Sequence, residues 1–164
     1  MRINNLLSVP GNPNSVVRPE YMSHGTLECR SLKASRRFYE DFLGLQCVRH
    51  GKPAMVVRCG MKFHIVCLEV GSSLKPGKLD NHWGVEVGSE EEVKRIWDAA
   101  HQLKDTYQIG QITDVLKQHG AYGFYLEDLD HNWWEIQYYD GTQHDDMFDF
   151  GDRYDDEGST VSHV

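Results

Sequence analysis

No run of apolar residues in this chain approaches the roughly 18 needed to span a bilayer, so no membrane-crossing helix is expected. Positive charge is also scarce: 17 basic residues stand against 25 acidic ones. A nucleic-acid partner would need a basic surface, and that class is set aside. Cys-x-x-Cys pairs are missing. Cys29, Cys47, Cys59 and Cys67 lie apart in apolar, strand-like stretches, the pattern of buried free thiols in a reducing compartment rather than a disulfide framework. Residues 1–20 lack a basic start followed by an apolar core, so a secretory signal is not expected. With Pro10, Pro13 and Pro19 they read as an irregular arm. Together these absences point to a cytoplasmic protein with no membrane partner.

The net charge of −8 is concentrated at one end: residues 140–157 carry eight carboxylates against Arg153 alone. Residues 141–164 therefore read as an acidic, solvated tail, and the body of the chain is close to neutral. A hydrophobic content of 40% over 164 residues suits one packed domain or two small fused repeats.

The pattern along the chain favours two repeats. Thr26–Arg30 alternates like a strand. Ser31 or Ser35 could cap a helix carrying Phe38, Tyr39, Phe42 and Leu43 at helical spacing, with Gly44 as its stop. Strand-like runs follow at Leu45–Arg49, Ala54–Cys59 and Lys62–Val70, separated by glycine-containing turns. Residues 71–81 read as a linker, after which the order restarts. His82–Val87 is strand-like. Ser89 with Glu92 forms a capping box, and Val93, Ile96, Trp97, Ala100 and Leu103 make an apolar helix face. Strands are expected near Ile109–Lys117, Tyr122–Glu127 and Trp133–Tyr139. The expected architecture is α+β: two tandem βαβββ modules, about 22–70 and 81–140 within a domain spanning 21–140, with curved mixed sheets forming a metal-containing cleft.

The repeat also places chemistry. His24 opens the first strand-like run, and His82 opens its counterpart 58 positions later; Glu135 lies in the last strand. Two imidazoles and a carboxylate are the donors of a metal site with open positions.

The stretch His24-x-x-Leu27-x-Cys29-Arg30-x-Leu32-x-x-Ser35-x-x-Phe38-Tyr39-x-x-x-Leu43-Gly44, with Phe124-Tyr125-Leu126-x-Asp128-x-Asp130-x-Asn132-x-x-Glu135, resembles the vicinal oxygen chelate superfamily. That group includes glyoxalase I, methylmalonyl-CoA epimerase, fosfomycin resistance proteins and extradiol dioxygenases. The resemblance implies that His24, His82 and Glu135 bind a divalent ion. Fe(II) is the expected ion, with Mn(II), Ni(II), Zn(II) or Co(II) as alternatives. It also implies a homodimer.

His64 lies four residues after the Gly60 turn and Glu135 three after Asn132, which makes them approximate symmetry mates. In glyoxalase-like relatives a Glu or Gln from this strand completes the coordination. In extradiol relatives a histidine of this region handles protons beside the metal, a task suited to imidazole. Glu69 is the alternative. It lies five positions from His64, so the two face opposite sides of a regular strand, and the turn spacing favours His64. His119, four residues, Phe124-Tyr125, Asp128 and Glu135 follow the closing extradiol pattern, with a first gap one residue short. Leu129 and His131 stand where that family has proline and glycine or proline. Trp133 shares the parity of Glu135 and is the better pocket candidate among the tryptophans. His131 and His144 read as turn and tail residues. The expected activity is extradiol cleavage of a catechol-like aromatic diol by O2, with His64, His119 and Tyr125 as catalytic residues. A glyoxalase- or epimerase-like lyase or isomerase and a metal-free bleomycin-resistance-like binding protein are the alternatives.

Overall fold

Alternating burial along short strands builds two four-stranded mixed sheets, each covered on one face by helix. The computed structural model describes Val16 and residues 22–49, 51–60, 63–118, 120–140, 152–154 and 156–160. Most of the N-terminal arm and acidic tail therefore lies outside the described residues, as do His119 and His144. The chain divides into two compact units, Met1–Pro76 and Gly77–Val164. Among the described residues, no helix is long and apolar enough to cross a membrane.

The first unit contains β1 (His24–Cys29), α1 (Leu32–Arg37), β2 (Gln46–Val48), β3 (Ala54–Arg58) and β4 (His64–Glu69). Its sheet order is β1-β4-β3-β2, with β1 parallel to β4 and the other pairs antiparallel. Leu27, Cys29, Met55, Val57, Ile65 and Cys67 are buried on one parity. His24, Thr26, Glu28, Val56, His64, Val66 and Leu68 occupy the other, more open face. Beyond α1 the chain makes a π-helical turn, Phe38–Phe42, which buries Phe38 and Tyr39. Gly44, at φ +67, ends it as a left-handed glycine should.

Neither serine caps α1 with its side chain. Ser31 is at the N-cap without a side-chain bond, and the Ser35 hydroxyl donates to the Ser31 carbonyl. The Leu32 amide instead donates to Glu69 Oε2 at 2.7 Å. A residue 37 positions away does the capping, which local patterning could not reveal. The cysteine expectation holds for three thiols; Cys59 is exposed, because β3 ends at Arg58 and Cys59 falls in the turn with Gly60, at φ +66. Burial pushes the Cys47 thiol up to about 11.

The second unit repeats the order with β5 (His82–Glu86), α2 (Glu90–Gln102), a short α3 (Lys104–Tyr107), β6 (Leu116–Gln118), β7 (Ala121–Glu127) and β8 (Trp133–Tyr139). Its sheet order is β5-β8-β7-β6, again with the first pair parallel. The expected α+β pair of modules is therefore present. Ser89 caps α2 by accepting from the Glu92 amide at 3.2 Å. The box is only half formed, because the Glu92 carboxylate turns to Arg95. Helix α2 packs on β7 and β8, where Val93, Ala100, Phe124, Leu126, Trp134 and Ile136 are buried.

One expected strand is largely absent. Residues 109–115 run beside β7 and bond to it through the backbone at Gly110, Gln111 and Thr113, but this pairing stops at one bridge, Ile112 to Leu126. The reason lies at Thr113. Its carbonyl accepts from the Trp97 indole at 2.9 Å, while its hydroxyl, not its carbonyl, accepts from the Tyr125 amide at 2.9 Å. The Tyr125 amide has only one hydrogen, so the ladder bond to the Thr113 carbonyl is lost when the hydroxyl takes it. Regular pairing starts only at Leu116.

Candidate functional site

The parity of β5, β7 and β8 sets the site in the second unit. In β8, Trp134 and Ile136 point to the helix side, leaving Trp133, Glu135 and Gln137 on the opposite face. Glu135 is register partner to both Gly84 of β5 and Tyr125 of β7. His82 pairs with Trp133, two residues earlier on the same face. Three of the expected site residues thus converge within one sheet: His82, Tyr125 and Glu135.

His82 Nε2 lies 3.2 Å from Glu135 Oε2. His82 Nδ1 is 2.8 Å from the Leu79 carbonyl, which accepts its hydrogen. That bond leaves Nε2 presenting its lone pair toward a carboxylate oxygen unless the ring is protonated. Two lone pairs at this separation require a proton or a cation between them. Ligand atoms each about 2.1 Å from one ion, at right angles, lie about 3 Å apart. The pair therefore fits a shared divalent ion, and a carbonyl-anchored imidazole is the usual orientation of a metal-binding histidine. The side chains are 29% and 14% exposed, so the pair can still be reached from solvent.

Tyr125 completes this cluster. Its ring meets the His82 ring edge-on, with centroids 4.9 Å apart. Burial, then its hydrogen bond and proximity to Glu135, push the phenol up to about 12; a hydrogen bond from Gln118 pulls the other way. The phenol is therefore a neutral hydroxyl. The Gln118 amide donates to the Tyr125 oxygen at 3.0 Å. Sequence reasoning missed Gln118. The available signal was the connection after β6, where Gly120 at φ +82 allows Gln118 to pair with Ala121 and places it on the Tyr125 face.

The turn before β8 is built around a buried carboxylate. Asp128 accepts from the amides of Asp130 and Asn132, from the Asn132 side chain and from the Trp134 indole. Burial pushes its carboxyl up to about 6, against those donors. His131 adopts φ +63, the conformation for which glycine is usual. Its Nδ1 lies 2.7 Å from Glu127 Oε1, and Glu127 Oε2 accepts from the Gln111 amide at 3.1 Å. His131 is a turn residue, as expected.

In the first unit, His24 and His64 are direct register partners across the parallel β1–β4 pair. Their rings stack with centroids 5.5 Å apart and planes 16° from parallel, and the Ser23 hydroxyl lies 2.9 Å from His24 Nδ1. Glu69 has the opposite parity and is engaged as the α1 cap, so His64 is the member of that pair on the His24 face. The expected symmetry of His64 with Glu135 is off by two residues. His24 pairs with His64 as His82 pairs with Trp133, and Thr26 pairs with Val66 as Gly84 pairs with Glu135. Five residues separate β3 from β4 and five separate β7 from β8; counting failed because Gly60 stands early in the first turn and Asn132 at the end of the second, and strand pairing makes Val66 the mate of Glu135. Within neither unit, among the described residues, do three His, Cys, Asp or Glu side chains gather into a metal-holding group. His82 and Glu135 lie in one unit and His24 in the other.

Comparison with known proteins agrees with this architecture. Residues 21–136 match the family described as Glyoxalase/Bleomycin resistance protein/Dioxygenase superfamily. No protein of curated function matches the sequence. A fosfomycin resistance protein, FosX, from Listeria monocytogenes, complexed with Mn(II) and sulfate, has a TM-score of 0.61 at 15% identity, covering 82% of this chain and all of that one. A lactoylglutathione lyase from Agrobacterium tumefaciens has a TM-score of 0.55 at 18% identity, covering 74% and 95%. A possible glyoxalase from Bacillus cereus has a TM-score of 0.56 at 24% identity, covering 72% and 98%. At these identities the structures establish a shared fold. With the family match spanning most of its length, the chain belongs to the glyoxalase/bleomycin resistance/dioxygenase superfamily.

Proposed function

We propose that this protein is a metal-dependent extradiol-type dioxygenase that opens a catechol-like ring, with Fe(II) held by His82, Glu135 and His24. The observation that carries the reading is the identity of the residue matched to Glu135 in the first unit. It is Val66, which cannot ligate. Glyoxalase-like relatives place a fourth protein ligand on this strand; two histidines and one carboxylate alone leave about three positions for substrate oxygens and a further ligand.

A bound Fe(II) would supply the template and electron path between diol and dioxygen. His82 is held ready by the Leu79 carbonyl. Tyr125, neutral and register partner to Glu135, offers a hydroxyl that can orient a substrate oxygen. His64, facing the same side of its sheet as His24, moves protons. His119, from the sequence resemblance, does the same. Trp133 flanks His82 with an aromatic surface.

The test is anaerobic loading with Fe(II), addition of catechols, then air. Oxygen uptake with a yellow ring-opened product is the expected result, lost in His82→Ala and Glu135→Ala together with iron binding. The fold shared with a lactoylglutathione lyase supports a second reading: a lyase or isomerase in which His64 abstracts a proton next to a metal-bound carbonyl. Turnover of a hemithioacetal or a 2-acyl thioester without oxygen consumption would establish that reading and overturn the first. Stoichiometric ligand binding by protein that takes up no metal would overturn both.

A further inference from the structure

One row of the first sheet gathers nitrogen donors on its open face. His24 and His64 are register partners across β1 and β4. Val57 pairs with Ile65, which carries Arg58 of β3 to the level of His64. Arg58 in turn pairs with Gln46 of β2. Val57 and Cys47 are buried on the opposite face, so Arg58 and Gln46 share the open face with both histidines. Arg58 Nε donates to Gln46 Oε1 at 2.7 Å. That bond aims the planar guanidinium and leaves the N–H donors of its two Nη atoms for another acceptor. Among the described residues Arg58 joins no ion pair. The strand carboxylate on this face is Glu28, paired with Leu68 near the far end of β1, about 13 Å along the strand from His24. The second unit fills the matching position differently. Trp133 pairs with His82 on one side and Glu127 on the other, so Glu127 is the counterpart of Arg58. Its carboxylate already accepts from the Gln111 amide and lies against His131. That position is closed by its own bonds, whereas Arg58 is exposed and has a neutral amide as its partner.

We propose that Arg58 receives a carboxylate carried by the substrate, so that the aromatic diol taken up bears an acidic substituent. A guanidinium grips a carboxylate through two parallel N–H···O bonds, which fixes orientation as well as adding affinity. Arg58 lies two strand spacings, about 10 Å, from His24 across the row, with His64 between them. A ring lying along that row puts its acid group at Arg58 and its diol toward the histidines. Gln46 is a positioning residue, because it holds the guanidinium rather than the ligand. The assignment rests on the reading that His24 and His64 face the substrate, so its test includes binding without metal or turnover.

Ligand-observed magnetic resonance titrations of the metal-free full chain under nitrogen compare 3,4-dihydroxybenzoate with 3,4-dihydroxybenzamide, its uncharged analogue. The acid should bind about tenfold more tightly. Arg58→Gln should bring the acid down to the affinity of the benzamide, whereas Arg58→Lys should keep part of the preference. Gln46→Leu retains the charge and should reduce the preference by a smaller factor. Acetate should compete only weakly, because it lacks the ring. Equal affinity for acid and benzamide, or a preference that survives Arg58→Gln, overturns the proposal. So does acetate binding as tightly as the dihydroxybenzoate, which would make this a site for a free anion. An acid preference erased by Arg58→Gln, in a protein that consumes no oxygen with any diol, would overturn the dioxygenase reading and leave the carboxylate subsite standing. Oxygen uptake on neutral catechols with no such preference would overturn the subsite alone.

Discussion

Replacing Glu69 separates a helix cap from a metal ligand. Its Oε2 accepts from the Leu32 amide at 2.7 Å, and Ser31, the residue placed to cap α1, makes no side-chain bond. Removing a side-chain cap costs about 1 kcal/mol, within a range of roughly 0.5–2. Loss of the negative charge near the helix N-terminus adds about 0.3–1 kcal/mol at an exposed position. Glu69→Ala loses both and should cost about 1.5 kcal/mol. For a chain of this size each kcal/mol moves Tm by roughly 2–4 °C, so a fall of about 3–6 °C is expected in a thermal melt followed by circular dichroism. Glu69→Gln keeps a carbonyl acceptor and loses only the charge, so its Tm should fall by about 1–4 °C. Metal affinity should be unchanged in both variants, because Glu69 faces the helix side of β4 while His64 faces the other. A Glu69→Gln protein that melts normally but no longer binds metal would refute the assignment. So would a Glu69→Ala protein with an unchanged Tm.

His64→Ala should retain metal binding and lose about 10²–10⁴-fold in turnover, measured as kcat under saturating substrate. Asp128 makes stability pH-dependent in a known direction. Its carboxyl is raised from 3.8 to about 6 in the fold, so its contribution is full below about pH 4 and is lost as pH rises through 6. Asp128→Asn replaces an acceptor facing the Trp134 indole with a donor and should destabilise by about 1–3 kcal/mol at pH 4. Denaturant titrations from pH 4 to 7 should show that gap shrinking as pH rises; a constant gap would refute the linkage. Gly123→Ala would place a Cβ 2.6 Å from the Ile136 carbonyl oxygen, a backbone contact that cannot swing aside, and should cost about 1–3 kcal/mol. Light scattering should give the mass of a homodimer.

The fold was legible because two independent periodicities agreed. Strand alternation and helical spacing gave βαβββ twice, and Gly44 marked the end of the first helical segment. Several failures depended on bonds or pairings between residues apart in sequence. Ser31 reads as a cap, yet Glu69 caps. Residues 109–115 read as a strand, yet the Thr113 hydroxyl takes the Tyr125 amide. Gln118 carried no motif, and only its pairing across Gly120 puts it beside Tyr125.

The symmetry of the site needs the same correction, and it changes the chemistry. Equal sequence spacing made His24 and His82 counterparts, and their strand pairing agrees. Turn counting then made His64 the counterpart of Glu135, which would have set a histidine where a carboxylate ligates in the second unit. Register shows instead that one repeat position holds His64 and Trp133, and the next on that face holds Val66 and Glu135. Each unit therefore has a strand-opening histidine, but they differ in what stands beside it. The second unit adds a carboxylate and, on the strand paired with it, a phenol that accepts from an amide. The first adds a second imidazole and an apolar side chain. A Val66→Glu substitution would supply the missing fourth donor on the face of His24 and His64. If the open positions are what the reaction requires, that variant should bind Mn(II) more tightly than the parent and lose oxygen-dependent turnover. Tighter binding with turnover intact would refute the argument that Val66 keeps a coordination position free.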